Sequence, residues 1–349
     1  MTSHSNDLIT YSSGTCLCQC EEKFRLRYEE GIRPRRDDLG ARWIGSAMHA
    51  GLETFIKKGL TEALARIMEI EKATPGIGEM VLKIVEGAAK ARAMVLAASM
   101  KWPSTEFSLV EHQVNMEIVN PATGHNSRSF IYAGKIDGVK DNAIIDWKSV
   151  SDPSRYIQER TIGHQLECYA LALFADGIQA NSVQFRLIKR PTIQLSQVSL
   201  LDEDGLKIVV DADGNRVMKN DGKPRQSGDP AKGWYLKTRP ETGAEFEERC
   251  FNQLTSEPGF LIEEERFFNV GRMEDAQRWL WSVSKRILSN RNTGHWLRNE
   301  HACWIFNRSC EFMPICQTAC AGGDPQEIIK CEFERVGTGH VELTKEAAA

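Results

Sequence analysis

Gly134-Lys-Ile-Asp-Gly-Val-Lys-Asp-Asn-Ala-Ile-Ile-Asp-Trp-Lys148 reads as two short strands, 130–139 and 143–150, joined by a tight turn at Asp141-Asn142. Asp and Asn tolerate the left-handed backbone that a two-residue hairpin turn requires. Counting outward from the turn pairs Lys140 with Ala143 and places Asp137 opposite Asp146. Opposed side chains in a hairpin have Cβ atoms about 4.5–5.5 Å apart, and like charges at that distance destabilise a sheet unless a cation lies between them. Lys148 follows Asp146 by two residues, so it projects from the same face. Ile144 and Ile145 mark the strand as buried. Two carboxylates and a lysine converging on a buried hairpin predict a divalent-metal site with a cation beside it. The competing reading is an exposed hairpin in which Lys148 is only a salt-bridge partner.

The other elements build a frame around this hairpin. The whole chain, 1–349, is expected to form one domain. Residues 1–103 read as helical: a helix begins at Cys20 with Phe24 and Tyr28 on one face, 41–58 carries Ile44, Met48, Leu52 and Phe55 in one stripe, and 61–73 and 78–100 follow. A strand at 107–119 turns back at Asn120-Pro-Ala-Thr-Gly124. With the hairpin, a helix at 154–175 and a strand at 182–189, it makes 104–190 the catalytic core. This order predicts an α/β fold with a mixed β-sheet core flanked by helices. Residues 201–245 are turn-rich and poor in large apolar side chains, a surface insertion with a short hairpin at 206–218. Residues 246–331 close the chain, with helices at 242–257 and 273–290 and a cysteine- and aromatic-containing segment at 294–331. The tail, 332–349, is expected to fray. No internal repeat is evident.

Three further positions suit the hairpin. His49 lies among small residues in Gly45-Ser-Ala-Met-His-Ala-Gly51, which would let its helix approach the sheet; it is a metal ligand or a structural histidine. A neutral imidazole suits Mn²⁺ better than Mg²⁺. Gln165 and Tyr169 are four apart on one helical face and could reach a phosphate or order the Lys148 amine, or else sit on a face packed through Leu166, Ala170 and Leu173. Glu111 is an additional ligand or an exposed strand residue. The chemistry such a set supports is phosphodiester hydrolysis. A metal held by Asp137 and Asp146 would polarise a phosphoryl oxygen and activate a water. Lys148 would position or deprotonate that water and stabilise developing charge.

Composition sets limits on the partners. Net charge is −4, so a nucleic-acid partner needs a local basic surface. The candidates are 23–36, with Arg25, Arg27, Arg33, Arg35 and Arg36, and 286–298; either could equally be a solvated basic face. No apolar run is long enough to span a bilayer, so no membrane partner is expected. The N-terminus lacks the basic-then-apolar pattern of a secretory signal. In the cytoplasmic, reducing setting this predicts, ten cysteines point to metal or cluster ligation before disulfides. Cys303-x6-Cys310-x5-Cys316 needs a fourth ligand, from Cys320 or Cys331 nearby or from Cys16, Cys18 or Cys20. Spacing does not choose between zinc and an iron–sulfur cluster, and free buried cysteines are the alternative.

In order, His49, Gly134-Lys-Ile-Asp137-Gly, Ile-Ile-Asp146-Trp-Lys148 and Gln165-x-x-x-Tyr169 resemble the motifs of the PD-(D/E)xK nuclease superfamily, specifically its RecB-like exonuclease branch. The resemblance implies a restriction-endonuclease-like core. It also implies Mg²⁺ or Mn²⁺ held by His49, Asp137, Asp146 and the main-chain carbonyl of Trp147, with Lys148 catalytic and Gln165 and Tyr169 completing the site. In a subset of that branch, including the AddB nuclease domain, one early and three late cysteines hold a [4Fe–4S] cluster. Cys20 best fits the early ligand, and Cys303, Cys310 and Cys316 fit the late ones; Cys16 and Cys18 depart from the pattern. Arg298-Asn-Glu-His-Ala-Cys303 and the helices before it resemble stand-alone nucleases of phages and prophages. The function implied is a metal-dependent DNA exonuclease acting on single-stranded DNA or duplex ends in recombination, repair or phage DNA processing, with a helicase or recombinase as candidate partner. The alternatives are a non-catalytic DNA-binding or scaffold protein on a nuclease fold, and a zinc-stabilised protein with no nucleic-acid role.

Overall fold

Strands β1 (Asp7–Ile9), β2 (Leu109–Val119), β3 (Asn126–Lys140), β4 (Ala143–Val150), β5 (Ser182–Lys189) and β6 (Leu261–Phe267) form one mixed sheet. This computed structural model describes residues 7–35, 39–103, 106–305, 308–336, 340 and 343. The long strand β3 organises the sheet. Antiparallel β2 fills one of its edges, from Leu109–Val139 to Val119–Asn126. The other edge is shared: parallel β1 takes 130–132, and antiparallel β4 takes 138–140. Residues 133–137 of that edge therefore stand open between two neighbours. Parallel β5 follows β4, and antiparallel β6 closes the sheet.

Helices cover both faces, as the alternation of β4 and β5 requires. Ile144, Val183, Phe185 and Leu187 point to one core, shared with α1 (Tyr11–Gln19), α7 (Gln165–Ala175) and α9 (Val270–Thr293). Ile145, Trp147 and Ile188 point to the other, shared with α3 (Ala41–Lys58), α4 (Leu60–Ala73), α5 (Glu79–Lys101) and α8 (Gly243–Ser256). Buried alanines at 88, 89, 91, 93, 97 and 98 give α5 a thin profile, so that α3 and α8 pack closely on it. A third, small core of Leu26, Ile32, Phe312, Ile315, Ile329 and Phe333 joins the chain's two ends. Its elements are the wide turn Arg25–Glu29, entered from α2 (Glu21–Phe24), the strands Ile32–Pro34 and Phe333–Arg335, α10 (Met313–Cys320) and α11 (Gln326–Glu332).

Several expectations from sequence are corrected. The helix at 154–175 is two, α6 (Pro153–Ile162) and α7, broken at Gly163 and His164. The Tyr11 hydroxyl lies 2.7 Å from where a Gly163 Cβ would be, so the break is where α1 meets this corner. Helix begins at Tyr11, and Cys20 is an extended residue between α1 and α2. Edge strand β6 was not expected: its Glu263-Glu264-Glu265 run hides the alternation, as charged edges do. Phe333–Arg335 pairs with Ile32–Pro34 rather than fraying; most of the tail beyond it lies outside the described residues.

The insertion does contain a repeat. Asp202–Gly205, Asp211–Gly214 and Lys219–Gly222 are successive tight turns, each ending on a left-handed glycine. Asp202 Oδ1 accepts the N–H groups of Asp204 and Leu206, and Asp211 Oδ1 accepts those of Asp213 and Asn215. Backbone bonds from Ile208 to Leu200, Val217 to Val209 and Arg225 to Val217 stack the turns. An eight- or nine-residue period punctuated by glycine is easily read as plain loop composition.

Candidate active site

Asp141 and Asn142 adopt φ of 51° and 61°, and the rungs Lys140–Ala143, Val139–Ile144 and Gly138–Ile145 form as the turn dictates. The next rung, Asp137 and Asp146, is not bonded. The β2–β3 ladder is interrupted in the same row: Val110–Gly138 and His112–Ile136 pair, but Glu111 and Asp137 between them do not. Glu111 has φ of 52°, strained for a residue with a side chain and of the kind that costs on the order of 1–3 kcal/mol. Asp137 thus sits mid-row between two strands, with Glu111 on one side and Asp146 on the other. Its Oδ2 accepts the Trp147 N–H at 2.9 Å, replacing the missing ladder bond.

Lys148 lies in this fork. Its Nζ is 2.9 Å from Asp146 Oδ1, 3.4 Å from Asp137 Oδ2 and 2.9 Å from the Trp147 carbonyl oxygen. Burial opposes its charge, but the two carboxylates outweigh that and hold the ammonium well above the usual lysine range. Burial also works against the Asp137 carboxylate; Lys148 and His49 prevail and keep it below its ordinary value. The Trp147 ring is anchored in the helical layer, edge-on to Trp102 at 5.1 Å and under the Arg186 guanidinium at 5.1 Å, which fixes the carbonyl.

Helix α3 delivers His49, whose Nδ1 is 3.6 Å from Asp137 Oδ1. Burial pushes its imidazole below the ordinary value, so it is neutral at neutral pH, the form that ligates metals. Glu111 is paired with Lys135, yet burial and the Asp137 charge push its carboxyl up to about 7. Ligand atoms of His49, Glu111 and Asp137 all lie within 4.8 Å of one another, the one such group among the described residues. Asp146 is turned away from this trio, with Oδ1 on Lys148 and Oδ2 on the Tyr156 hydroxyl at 3.1 Å. Glu111 is therefore nearer the centre than its sequence suggested. Tyr156, on α6, was missed because Ser154-Arg-Tyr-Ile-Gln-Glu-Arg160 reads as an exposed polar helix.

On α7, Gln165 Nε2 donates to the Tyr169 hydroxyl at 3.0 Å. The Tyr169 ring packs on Gly134, where a Cβ would meet it at 2.7 Å. Only glycine lets the tyrosine lie over the open edge of β3.

The residues fit a divalent cation. The ammonium of Lys148 already rests on Asp137, Asp146 and the Trp147 carbonyl, three acceptors that would face such an ion. The nitrogen and carboxylate donors of the nearby trio are those that Mn²⁺ accepts.

The cysteines divide. Cys16 is buried beside the main core, while Cys18, Cys320 and Cys331 are exposed. Cys20 sits where Glu22 N–H donates to the Leu297 carbonyl at 3.1 Å and Asn299 Nδ2 to the Gln19 carbonyl at 2.8 Å. Cys303 and Cys310 close the base of a hairpin, Cys310 N–H donating to the Cys303 carbonyl at 2.8 Å. Cys316 lies on α10; burial pushes its thiol up to about 11, with Glu22, Cys310 and Cys20 adding to the shift. Cys20, Cys310 and Cys316 thus lie near enough at one corner to raise one another's thiols, and Cys303 is tied to Cys310 through the main chain.

Most of the basic stretches are consumed in tying that corner. Arg25 pairs with Glu22 and Glu30, Arg27 with Glu311, Arg286 with Glu21, and Arg291 with Asp7 and Glu29. Arg35 donates to the Lys330 carbonyl, and Arg33 stacks on Tyr28. Arg36 lies outside the described residues. Among the described residues, no helix is long and apolar enough to cross a membrane.

The family model described as "PD-(D/E)XK nuclease superfamily" matches residues 9–317. No curated protein matches the chain. Among solved structures, a "putative exonuclease" from Eubacterium rectale is similar at 10% identity and a TM-score of 0.41, over 90% of this chain and 97% of that one.

Proposed function

The chain belongs to the PD-(D/E)XK nuclease superfamily, and from that premise we propose that it is a metal-dependent DNA exonuclease acting on single strands or duplex ends. The observation that carries the reading is the row Glu111–Asp137–Asp146, unbonded in both ladders, with Lys148 bridging Asp137 and Asp146. In this reading His49, Glu111, Asp137, Asp146 and the Trp147 carbonyl hold Mg²⁺ or Mn²⁺. When bound, such an ion supplies a polarised phosphoryl oxygen and a water of lowered pKa.

The chain's own residues do the rest. Lys148, kept protonated by its two carboxylates, donates to the incoming water or a non-bridging oxygen and offsets the negative charge gathering there. Tyr156 holds Asp146 Oδ2, so that Asp146 keeps one orientation. Gln165 and Tyr169, joined to each other, wall the open edge of β3 and orient the phosphate group. A water oxygen bonds to phosphorus, one bridging P–O bond breaks, and the proton that the water gives up ends on the leaving oxygen.

Cys20, Cys303, Cys310 and Cys316 are proposed to hold a [4Fe–4S] cluster as a structural staple. The proximity of Cys20, Cys310 and Cys316, the main-chain tie of Cys303 to Cys310 and the smallness of the adjoining core support this. Biological settings that suit the activity are recombination, repair and phage DNA processing, with a helicase or recombinase supplying the DNA. The chain is read as one domain, 1–349, with 104–190 as its catalytic core.

The test is incubation of end-labelled linear DNA and closed circular DNA with Mn²⁺, after purification without oxygen. Progressive loss of the linear forms with the circle spared is expected. Survival of every form contradicts the proposal. Iron and sulfide released from wild type but not from Cys316→Ser are expected in the same preparations; zinc in their place overturns the cluster.

A further inference from the structure

Beside the fork, a cleft of about 440 Å³ runs between α1, α2 and the Arg25–Glu29 turn on one side and α6 and α7 on the other. Tyr11, Lys23, Arg27, Arg160, Gln165 and Lys148 line it, and among the described residues no carboxylate does, in a chain whose net charge is −4. Arg27 is paired with Glu311, but Lys23 and Arg160 make no ion pair among the described residues. The Nε of Arg160 is buried without a hydrogen-bond partner. The guanidinium lies 4.9 Å from the centre of the Tyr156 ring, and the Tyr156 hydroxyl donates to Asp146. Arg160 therefore connects the cleft to the fork through a single side chain.

We propose that this cleft is the track for one strand of DNA, with Arg160 and Lys23 gripping the phosphates next to the one being cut. The assignment rests on the nuclease reading for the identity of the ligand and goes beyond it in choosing a single strand. Unpaired cations in a concave, acid-free surface attract a polyanion. The volume is that of a small-ligand pocket, the scale of one nucleotide unit. Tyr11 in the same wall, packed on Trp279 at 5.3 Å, adds an aromatic side chain beside which an unpaired base can lie. Since Lys148 and Gln165 form the floor, a strand lying here passes the fork. Arg160 turns its charge to the strand while its stacking on Tyr156 steadies Asp146.

The test is fluorescence anisotropy of a labelled single-stranded oligonucleotide and of the blunt duplex, in EDTA over a range of salt, with wild type, Arg160→Gln, Arg160→Lys and Lys23→Gln, each checked by thermal melting. Wild type should favour the single strand by at least about tenfold. Arg160→Gln should weaken strand binding about tenfold or more, as loss of a charged hydrogen bond does. It should also lower the salt slope by about 0.7, one phosphate's worth. Arg160→Lys should recover the slope, and Lys23→Gln should lower it again. Wild-type affinity and slope in both glutamine variants overturn the proposal, as does duplex binding equal to that of the single strand. The nuclease reading fails separately, on intact DNA in Mn²⁺; Arg160-dependent strand binding with no cleavage leaves the track standing.

Discussion

At the acidic row, Asp137 takes the Trp147 amide, Lys148 rests on three acceptors, Tyr156 steadies Asp146, and three sheet strands and α3 fix the positions. At the cysteine corner, segments from the two ends of the chain meet over a six-residue core, held by partly buried ion pairs and a three-residue strand pair. The first place is held by the fold whether or not an ion is present. The second is where the fold itself is held, by ion pairs whose carboxylates on Glu21 and Glu22 are buried. Damage at the row should remove chemistry and spare stability; damage at the corner should do the reverse.

The sharpest break is Asp137→Asn. Cleavage should fall by about 10²–10³-fold, as when a centre loses a principal electrostatic group, and calorimetry should show Mn²⁺ binding lost with the melting temperature nearly unchanged. Phe312→Ala attacks the other side. Phe312 is buried and stacked on Phe333 at 5.8 Å, so its truncation should cost about 3–5 kcal/mol in denaturant unfolding. Mn²⁺ affinity of the surviving folded fraction should not move; a parallel loss would erase the contrast between the two regions.

Tyr156→Phe is gentler. It removes one hydrogen bond to a buried carboxylate, which should cost about 1.5 kcal/mol of stability, and should slow single-turnover cleavage roughly tenfold as Asp146 loses its fixed orientation. Glu241, outside both regions, calibrates the pH response. Burial pushes its carboxyl up, but bonds from Arg249 and Ser196 outweigh this and hold it below the usual glutamate value. A depressed folded pKa gives stability that is present above the unfolded value, about 4.3, and lost as pH falls through the folded one. Melting curves of Glu241→Gln should therefore start lower at neutral pH and fall less on acidification than those of wild type.

The same contrast explains what the sequence made legible. The hairpin was readable because Asp141-Asn142 sets the register and the register alone brings Asp137 to Asp146. The mixed sheet between helices followed from the order of periodic segments. Glu111 was only half visible, since nothing in Leu109-Val-Glu-His112 announces a residue with φ of 52°. Tyr156 and Arg160 were invisible, because they face the fork only after the chain breaks at Gly163 and α6 packs on β5 through Tyr156 and Phe185. The edge strand β6 was masked by its three glutamates, and the stacked turns by their resemblance to ordinary loop. Contacts that depend on tertiary placement leave little local trace.

The most direct measurement of the central claim is single-turnover cleavage of end-labelled DNA with Mn²⁺ by wild type and Lys148→Ala, at matched thermal stability. The account predicts that wild type cuts and that the variant is slower by about 10²–10³-fold while remaining folded. A folded Lys148→Ala that cuts as fast as wild type would contradict it, and the fork would not be the seat of catalysis.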